Sequence, residues 1–138
     1  VARMIALLNG DNLEHKFLAA KALALTEDNG DALDSLLEAI NEKENKAIQG
    51  DLAEALAGFD CSDKFHQLFK LSLFGSIKAI AMAQEILDFE EFDITPRAIR
   101  KAEKHWLNYT NNVKQDEAFE LQKQEVEAWF EELKSFVD

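Results

Sequence analysis

The chain has 138 residues, of which 47% are hydrophobic and 30% are charged, and its formal net charge is -12. That length suits a single domain of residues 1–138, and the hydrophobic fraction is too high for a disordered acidic tail. The single cysteine allows no internal disulfide, and no apolar run approaches the ~20 residues that a membrane span needs. The first residues carry no secretion signal, so we expect a cytoplasmic location.

The acidic balance argues against nucleic acids and membranes as partners. Nucleic-acid binding depends on Lys and Arg side chains that neutralise phosphates, but 27 Asp and Glu outnumber 15 Lys and Arg here. Only the stretch 97–114 is clearly basic, with five Lys or Arg against Glu103, and we interpret its charge as neutralised internally by the acidic segments around it. We therefore predict no nucleic acid and no membrane as partner, and an attraction for cations and basic proteins.

The residue composition and spacing predict an all-α chain of about eight short helices. Ala and Leu together number 37, whereas the strand-favouring Val, Ile and Thr number 15. In chain order, the first predicted helix ends near Leu8, the second covers 13–26 and is capped by Asn12, and the third covers 31–41 and is capped by Asp31. Asn45 and Ser62 are the predicted caps of the fourth and fifth helices. The sixth covers 77–87 and follows Gly75, the seventh starts at Thr95-Pro96, and the eighth starts at about Lys114. The connecting loops are short, which favours antiparallel neighbours.

The chain also contains an imperfect internal repeat of 32 or 33 residues. At an offset of 33, Ala20 aligns with Ala53 and the run 22–24 aligns with 55–57; at an offset of 32, Leu36 aligns with Leu68. One helix pair cannot bury its apolar face alone, so repeated pairs stack on each other. Amphipathic helices rich in Ala and Leu also align by chance, and that interpretation stays open.

The segments 12–23 and 45–56 resemble the first helices of HEAT-like repeats, in which a cap and turn lead into an Ala-rich helix. The resemblance covers about residues 4–90, although Leu13 and Lys46 stand where the family usually has proline. It implies an α-solenoid of antiparallel helix pairs. Residues 1–92 would form the repeats, and residues 93–138 would form an atypical helix pair that caps the stack.

Few residues suggest catalysis or metal binding. Asp63 and His66 lie one helical turn apart, but a metal site needs further ligands at a similar spacing. We interpret Asp63 as a first-turn acid, His66 as partly exposed and Cys61 as a small buried residue. Residues 85–93 interleave five carboxylates with apolar side chains, which predicts an amphipathic helix end with an acidic rim. We predict no catalytic, cofactor-binding or metal-ligating residue.

Four aromatic residues of the last 40 positions allow two interpretations. Trp106, Tyr109, Trp129 and Phe130 fit packing between the terminal helices, and they also fit contact with a partner.

The HEAT-like resemblance implies a non-catalytic protein–protein interaction or scaffold module. Its acidic surface would bind a basic or helical segment of a partner protein. In such solenoids the second helices of successive pairs line the concave face, which points to Asp34, Glu38 and Gln67, with Glu42 at the edge. Two alternatives are an enzyme of the HEAT-like lyase or hydroxylase type and a plain helical structural or oligomerisation domain.

Overall fold

The computed structural model describes residues 1–137, and this part of the chain contains helices and no strand. The eight α-helices are α1 (Ala2–Leu8), α2 (Leu13–Ala24), α3 (Leu33–Asn41), α4 (Gln49–Glu54), α5 (Phe65–Phe74), α6 (Ile77–Phe89), α7 (Pro96–Thr110) and α8 (Glu117–Val137). Short 3-10 helices at Gly30–Ala32 and Lys43–Ile48 lead into α3 and α4, and Ala55–Gly58 continues α4. The all-α prediction and the number of helices are confirmed.

Several helix boundaries lie where the cap residues predict them. The side chains of Asn12 and Thr95 each accept a first-turn backbone N–H, at 2.9 and 3.1 Å, and Pro96 occupies the first position of α7. Gly75 follows the last residue of α5, and the Ser76 hydroxyl accepts an N–H at the start of α6. Local sequence therefore determines these boundaries.

Three predicted caps are wrong, because their residues have other roles. Asp31 lies inside the 3-10 helix Gly30–Ala32 and makes no side-chain cap. Asn45 lies within Lys43–Ile48, and its buried side chain bonds to another part of the chain. Ser62 precedes the first residue of α5 by three positions, and its carbonyl accepts a bond from the Asp93 N–H at 2.8 Å.

The buried side chains form two clusters that share a boundary. The first is mostly aliphatic and includes Leu23, Leu36, Leu52, Leu56 and Leu68. The second is rich in aromatic rings from α5, α7 and α8, including Phe65, Phe69, Trp106, Phe119 and Phe130. Leu87 and Phe92 pack against both clusters, so the aromatic half is joined to the aliphatic half.

The aromatic residues of the C-terminal part are largely core residues. Trp106 and Phe130 are buried, and Trp129 lies with its ring centroid 5.4 Å from that of Phe65. Tyr109 stacks on Trp106 at 5.5 Å. Offset and edge-to-face packing of aromatic rings stabilises the fold beyond the contribution of the buried apolar surface. The packing interpretation therefore explains most of this aromatic content.

Helices pack mainly on neighbours that are close in the chain. Helix α1 contacts α2 and α3; α4 contacts α2, α3 and α6; α5 contacts α6 and α7; and α8 contacts α7. The odd-numbered helices begin at residues 2, 33, 65 and 96, so that their starts are 31 or 32 residues apart. Ala20 and Ala53, which the repeat aligns, are both fully buried.

A buried lysine joins α2 to the turn before α4. Lys16 of α2 is 1% exposed, and its Nζ donates to Asn45 Oδ1 at 2.7 Å. The amide nitrogen of Asn45 donates in turn to the Ala39 carbonyl at 2.8 Å. A Glu44 carboxylate oxygen lies 3.6 Å from the lysine nitrogen. The lysine is thus paired inside the core, which is the condition for burying such a group without a large loss of stability.

Two further amide side chains connect helices that are separated in the chain. The Asn29 side chain donates to the Leu23 carbonyl at 2.7 Å and to the Gly58 carbonyl at 3.0 Å. Gln49 donates to the Ile40 carbonyl at 3.0 Å and accepts from the Ser76 N–H at 2.8 Å. Both side chains satisfy backbone groups at the ends of helices, where the intrahelical bonds stop.

Gly58 lies where the chain passes closest to α2, and we expect its replacement to destabilise the fold. A Cβ atom at Gly58 would overlap the backbone of Ala24, so one side must shift. Gly58→Ala should lower the free energy of unfolding by about 1–3 kcal/mol in urea denaturation. Gly30→Ala is the matched control because a Cβ there meets nothing within 4 Å, and its change should stay within about 0.5 kcal/mol. Equal effects of the two substitutions would contradict the close approach.

Candidate functional site

Three of the predicted partner-binding residues lie along α3 and its end. Asp34 and Glu38 are exposed on α3, and Glu42 is the exposed residue that caps its C-terminus. Asp34 accepts from Lys64 at 3.0 Å, so part of its charge is neutralised by the residue that precedes α5. Neither Glu38 nor Glu42 forms an ion pair with another described residue. This set is called the α3 acidic row below.

The environments of Glu42 and Gln67 differ from each other. The pKa of Glu42 is raised, chiefly by a hydrogen bond shared with Glu44 and then by slight desolvation and repulsion from that carboxylate. Gln67, on α5, is half-buried, and its Oε1 is buried without a hydrogen-bond donor among the described residues. The ion pair between Asp34 and Lys64 connects the α3 acidic row to the start of α5, one turn before Gln67.

A groove of about 340 Å³ lies between α4, its 3-10 continuation and α6. It is called the α4–α6 groove below. Its floor is apolar and its rim is acidic, with Leu56, Phe59, Met82, Ile86 and Phe89 on the floor and Glu54, Glu85 and Glu90 on the rim. Phe89 is 83% exposed, so that its ring is available for contact with another molecule at the groove.

The rim carboxylates of the α4–α6 groove are unevenly neutralised. Glu54 is paired with Lys78 at 2.9 Å, whereas Glu85 forms no ion pair within residues 1–137. Partial burial and the neighbouring Asp60 carboxylate raise the pKa of Glu90. The pKa of Asp60 is lowered because it accepts the backbone N–H of Ser62 at 3.0 Å. The groove therefore has a surplus of negative charge at the end near Glu90.

A second groove, of about 240 Å³, lies between α2 and α4. Phe17, Ala24 and Leu25 line it together with Asp51 and Glu54, so that Glu54 stands between the two grooves. Leu25 is 88% exposed. The even-numbered helices α2, α4 and α6 thus carry adjacent apolar grooves; the groove between α2 and α4 has Lys21 as well as carboxylates at its rim, and the α4–α6 groove has an acidic rim.

The acidic rim of residues 85–93 was predictable from the sequence, but the α4–α6 groove was not. Its floor combines Leu56 and Phe59 with Met82 and Phe89, and only the packing of α4 on α6 brings them together. A groove of about 550 Å³ lies between α7 and α8 and is lined by Lys123 as well as by Glu103, Glu127 and Glu131. It therefore has less preference for one sign of charge.

The residues considered for catalysis do not form a reactive group. Cys61 is buried as predicted, and burial together with nearby carboxylates raises the pKa of its thiol to about 12. Such a thiol stays protonated at neutral pH and is a poor nucleophile. Asp63 lies outside α5, so it is not a first-turn acid; its carboxylate lies 3.8 Å from the Lys64 ammonium.

Residues 1–137 contain no group of three or more His, Cys, Asp or Glu positioned to hold a metal ion. None of the helices described there is long and apolar enough to cross a membrane.

Two histidines from different helices meet at the surface of the aromatic cluster. Nδ1 of His66 on α5 lies 3.4 Å from Nε2 of His105 on α7, and the rings stack at 5.6 Å. Desolvation, aided by nearby cations such as Lys101, lowers the pKa of His66 to about 4. Desolvation, followed by the charges of Lys70 and Lys101, also lowers the pKa of His105. His66 is partly exposed, as predicted, but nothing in the sequence pattern indicated its partner.

Comparison with known proteins finds no matching family model, no matching curated protein and no matching solved structure. The HEAT-like resemblance therefore stays a prediction. Function has to be inferred from the surfaces described above.

The paired histidines should make stability depend on pH. The pKa values of His66 and His105 in the folded protein lie below the ordinary value of 6.5. Below pH 6.5 these histidines therefore bind more protons in the unfolded chain than in the folded one. The stabilisation that is present above pH 6.5 is lost as the pH falls toward about 4. We expect the drop in melting temperature between about pH 6.5 and 5 to be smaller in His66→Gln than in the unsubstituted protein. His15→Gln, at an exposed position on α2, is the control and should keep the full drop. An unchanged drop in His66→Gln would contradict the assignment.

Proposed function

We propose that the protein is a non-catalytic protein-interaction module built as a HEAT-like stack of antiparallel helix pairs. Two observations support the stack: the odd-numbered helices recur every 31 or 32 residues, and each helix packs mainly on neighbours near it in the chain. The buried side chains of Lys16 and Asn29 and the half-buried side chain of Gln49 connect one helix pair to the next. Stacked pairs expose long continuous faces, which is the property that interaction modules of this type use.

The observation that carries the proposal is the α4–α6 groove, with its apolar floor and acidic rim. An amphipathic helix from a partner would lay its apolar side on Phe89 and Met82 and would place Lys or Arg side chains near Glu85 and Glu90. Binding of an amphipathic helix in an apolar groove is a common recognition mode in proteins. The acidic rim favours a basic helix and speeds its encounter with the groove.

The carboxylates at one end of the groove further favour a basic partner. Asp60 and Glu90 repel each other, and this repulsion contributes to the raised pKa of Glu90. A cationic side chain placed between them would relieve the repulsion and would be paired with two carboxylates at once.

The α3 acidic row is the alternative docking surface for the same class of partner. Asp34, Glu38 and Glu42 are all exposed, and two of them lack an ion pair within the described chain. These residues belong to the layer of odd-numbered helices, so they and the α4–α6 groove can be tested separately. Among the grooves described above, the α4–α6 groove combines an apolar floor with an acidic rim and none is lined by residues of this row, which is why we favour the α4–α6 groove.

A designed helical peptide tests the proposed groove. The probe is a fluorescent peptide with Leu at positions i, i+3, i+4 and i+7 and Lys elsewhere, and its control is a scrambled peptide of the same composition. We expect Phe89→Ser to weaken binding at least about fivefold in fluorescence anisotropy, because it removes an apolar anchor. Ile77→Ser, at a 91% exposed position of the same helix outside the groove, should leave the affinity unchanged.

Matched charge reversals distinguish the two acidic surfaces. Glu85→Lys and Glu38→Lys change the net charge equally, and both replace exposed helical residues. Glu85→Lys should weaken peptide binding at least about fivefold, while Glu38→Lys should have only the small effect expected from the altered net charge. The reverse result would assign binding to the α3 acidic row. Equal affinity of the helical and scrambled peptides would contradict the proposed function.

A further inference from the structure

A cluster of basic side chains surrounds the paired histidines on α5 and α7. It is called the His66–His105 cluster below, and it consists of Lys64, His66 and Lys70 at or on α5 and of Arg97, Lys101 and His105 on α7. Arg97, Lys101 and His105 recur at intervals of four along α7, as do His66 and Lys70 on α5, which places each set along one face of its helix, and Lys64 lies just before α5. The two faces meet where the imidazole nitrogens are 3.4 Å apart.

The charged side chains that lower the pKa values of the two histidines are positive. Lys101, Arg97 and Lys64 lower the pKa of His66, and Lys70 and Lys101 lower that of His105. None of the leading effects on either ring comes from a carboxylate. A chain with a net charge of -12 has therefore gathered several cations at this place.

Most of these cations lack an ion pair. Lys64 is neutralised by Asp34 and Asp63, but Lys70, Arg97 and Lys101 form no ion pair within the described residues. The expected internal neutralisation of residues 97–114 therefore has no support from ion pairs at these positions. Like charges held near each other destabilise a protein unless an anion is bound between them.

We propose that the His66–His105 cluster binds an oxyanion of the phosphate type. Imidazole N–H groups, lysine ammonium groups and the planar guanidinium of Arg97 together supply the donors that a tetrahedral dianion requires. The surrounding cations disfavour a divalent metal ion on the two histidines, because they would repel it. The site lies on α5 and α7, so it is independent of the α4–α6 groove and of the proposed partner.

Oxyanion binding at this place is linked to protonation of the histidines. A bound dianion favours the protonated form of both rings and so opposes the effect of the lysines. The anion should accordingly bind more tightly at about pH 4, where the rings take up protons, than at about pH 7, where they are neutral.

Histidine NMR titrations with sodium sulfate test the proposal, since sulfate stays a dianion over the range in which the rings titrate. Sodium chloride at equal ionic strength is the control for screening. We expect sulfate to raise the titration midpoints of His66 and His105 by about one pH unit relative to chloride, which corresponds to about tenfold tighter binding by the protonated rings. His66→Gln and His105→Gln assign the two signals. His15, on α2, is the internal reference and should respond equally to both salts.

A matched pair of lysine substitutions locates the site. Lys101→Gln should reduce the sulfate-induced shift by half or more, whereas Lys104→Gln removes the same charge from an exposed position of the same helix and should not. Circular dichroism of both variants checks that α7 stays folded. Identical effects of sulfate and chloride would overturn the proposal, and so would equal effects of Lys101→Gln and Lys104→Gln.

The source of the oxyanion is resolved by repeating the titration with inorganic phosphate and with O-phosphoserine. Equal affinity for both would mean that the site takes a free ion. An affinity for the monoester at least about tenfold higher would mean that it takes a phosphate group carried on an organic molecule. If neither shifts the histidine signals more than chloride does, the cluster is not an oxyanion site.

Discussion

The contact between Lys16 and Asn45 is the constraint on which the arrangement of the first helices depends. A lysine that is 1% exposed must be paired, and its partner Asn45 is held at the same time by the Ala39 carbonyl. The three residues fix α2, the end of α3 and the turn before α4 relative to each other. The position of α4 then determines that of α6 through Gln49 and Ser76, and the packing of α4 on α6 creates the groove.

The same packing separates two surfaces of opposite charge. The even-numbered helices carry apolar grooves bordered by carboxylates such as Glu54 and Glu85, and α5 with α7 carries the His66–His105 cluster. Net charge alone describes the protein as acidic and predicts neither surface. The two proposals place a basic helix on one of these surfaces and an oxyanion on the other, and their salt dependence would then arise from carboxylates in the first case and from cations in the second.

Local signals predict the helices well and their contacts poorly. Asn12 and Thr95 cap helices because nothing else competes for their side chains, whereas Asn45 has the same residue type as Asn12 and is bound instead by a lysine 29 residues away. The HEAT-like resemblance pointed to the residues of the α3 acidic row, and the structure places them along one helix and at its C-terminal end. The α4–α6 groove and the histidine pair each combine two helices, and the spacing of residues along one helix does not reveal its neighbour.

A double-mutant cycle at Lys16 and Asn45 tests most directly whether this buried contact holds the helix pairs together. The free energy of unfolding in urea is measured for the unsubstituted protein, Lys16→Met, Asn45→Ala and the double variant. Because the bond is buried and involves a charged donor, we predict a coupling energy of about 1.5–3 kcal/mol. Lys16 with Glu44, whose side chain is mostly exposed, is the matched control cycle, and its coupling should stay below about 1 kcal/mol. Additive effects of Lys16→Met and Asn45→Ala, within about 0.5 kcal/mol, would contradict the account.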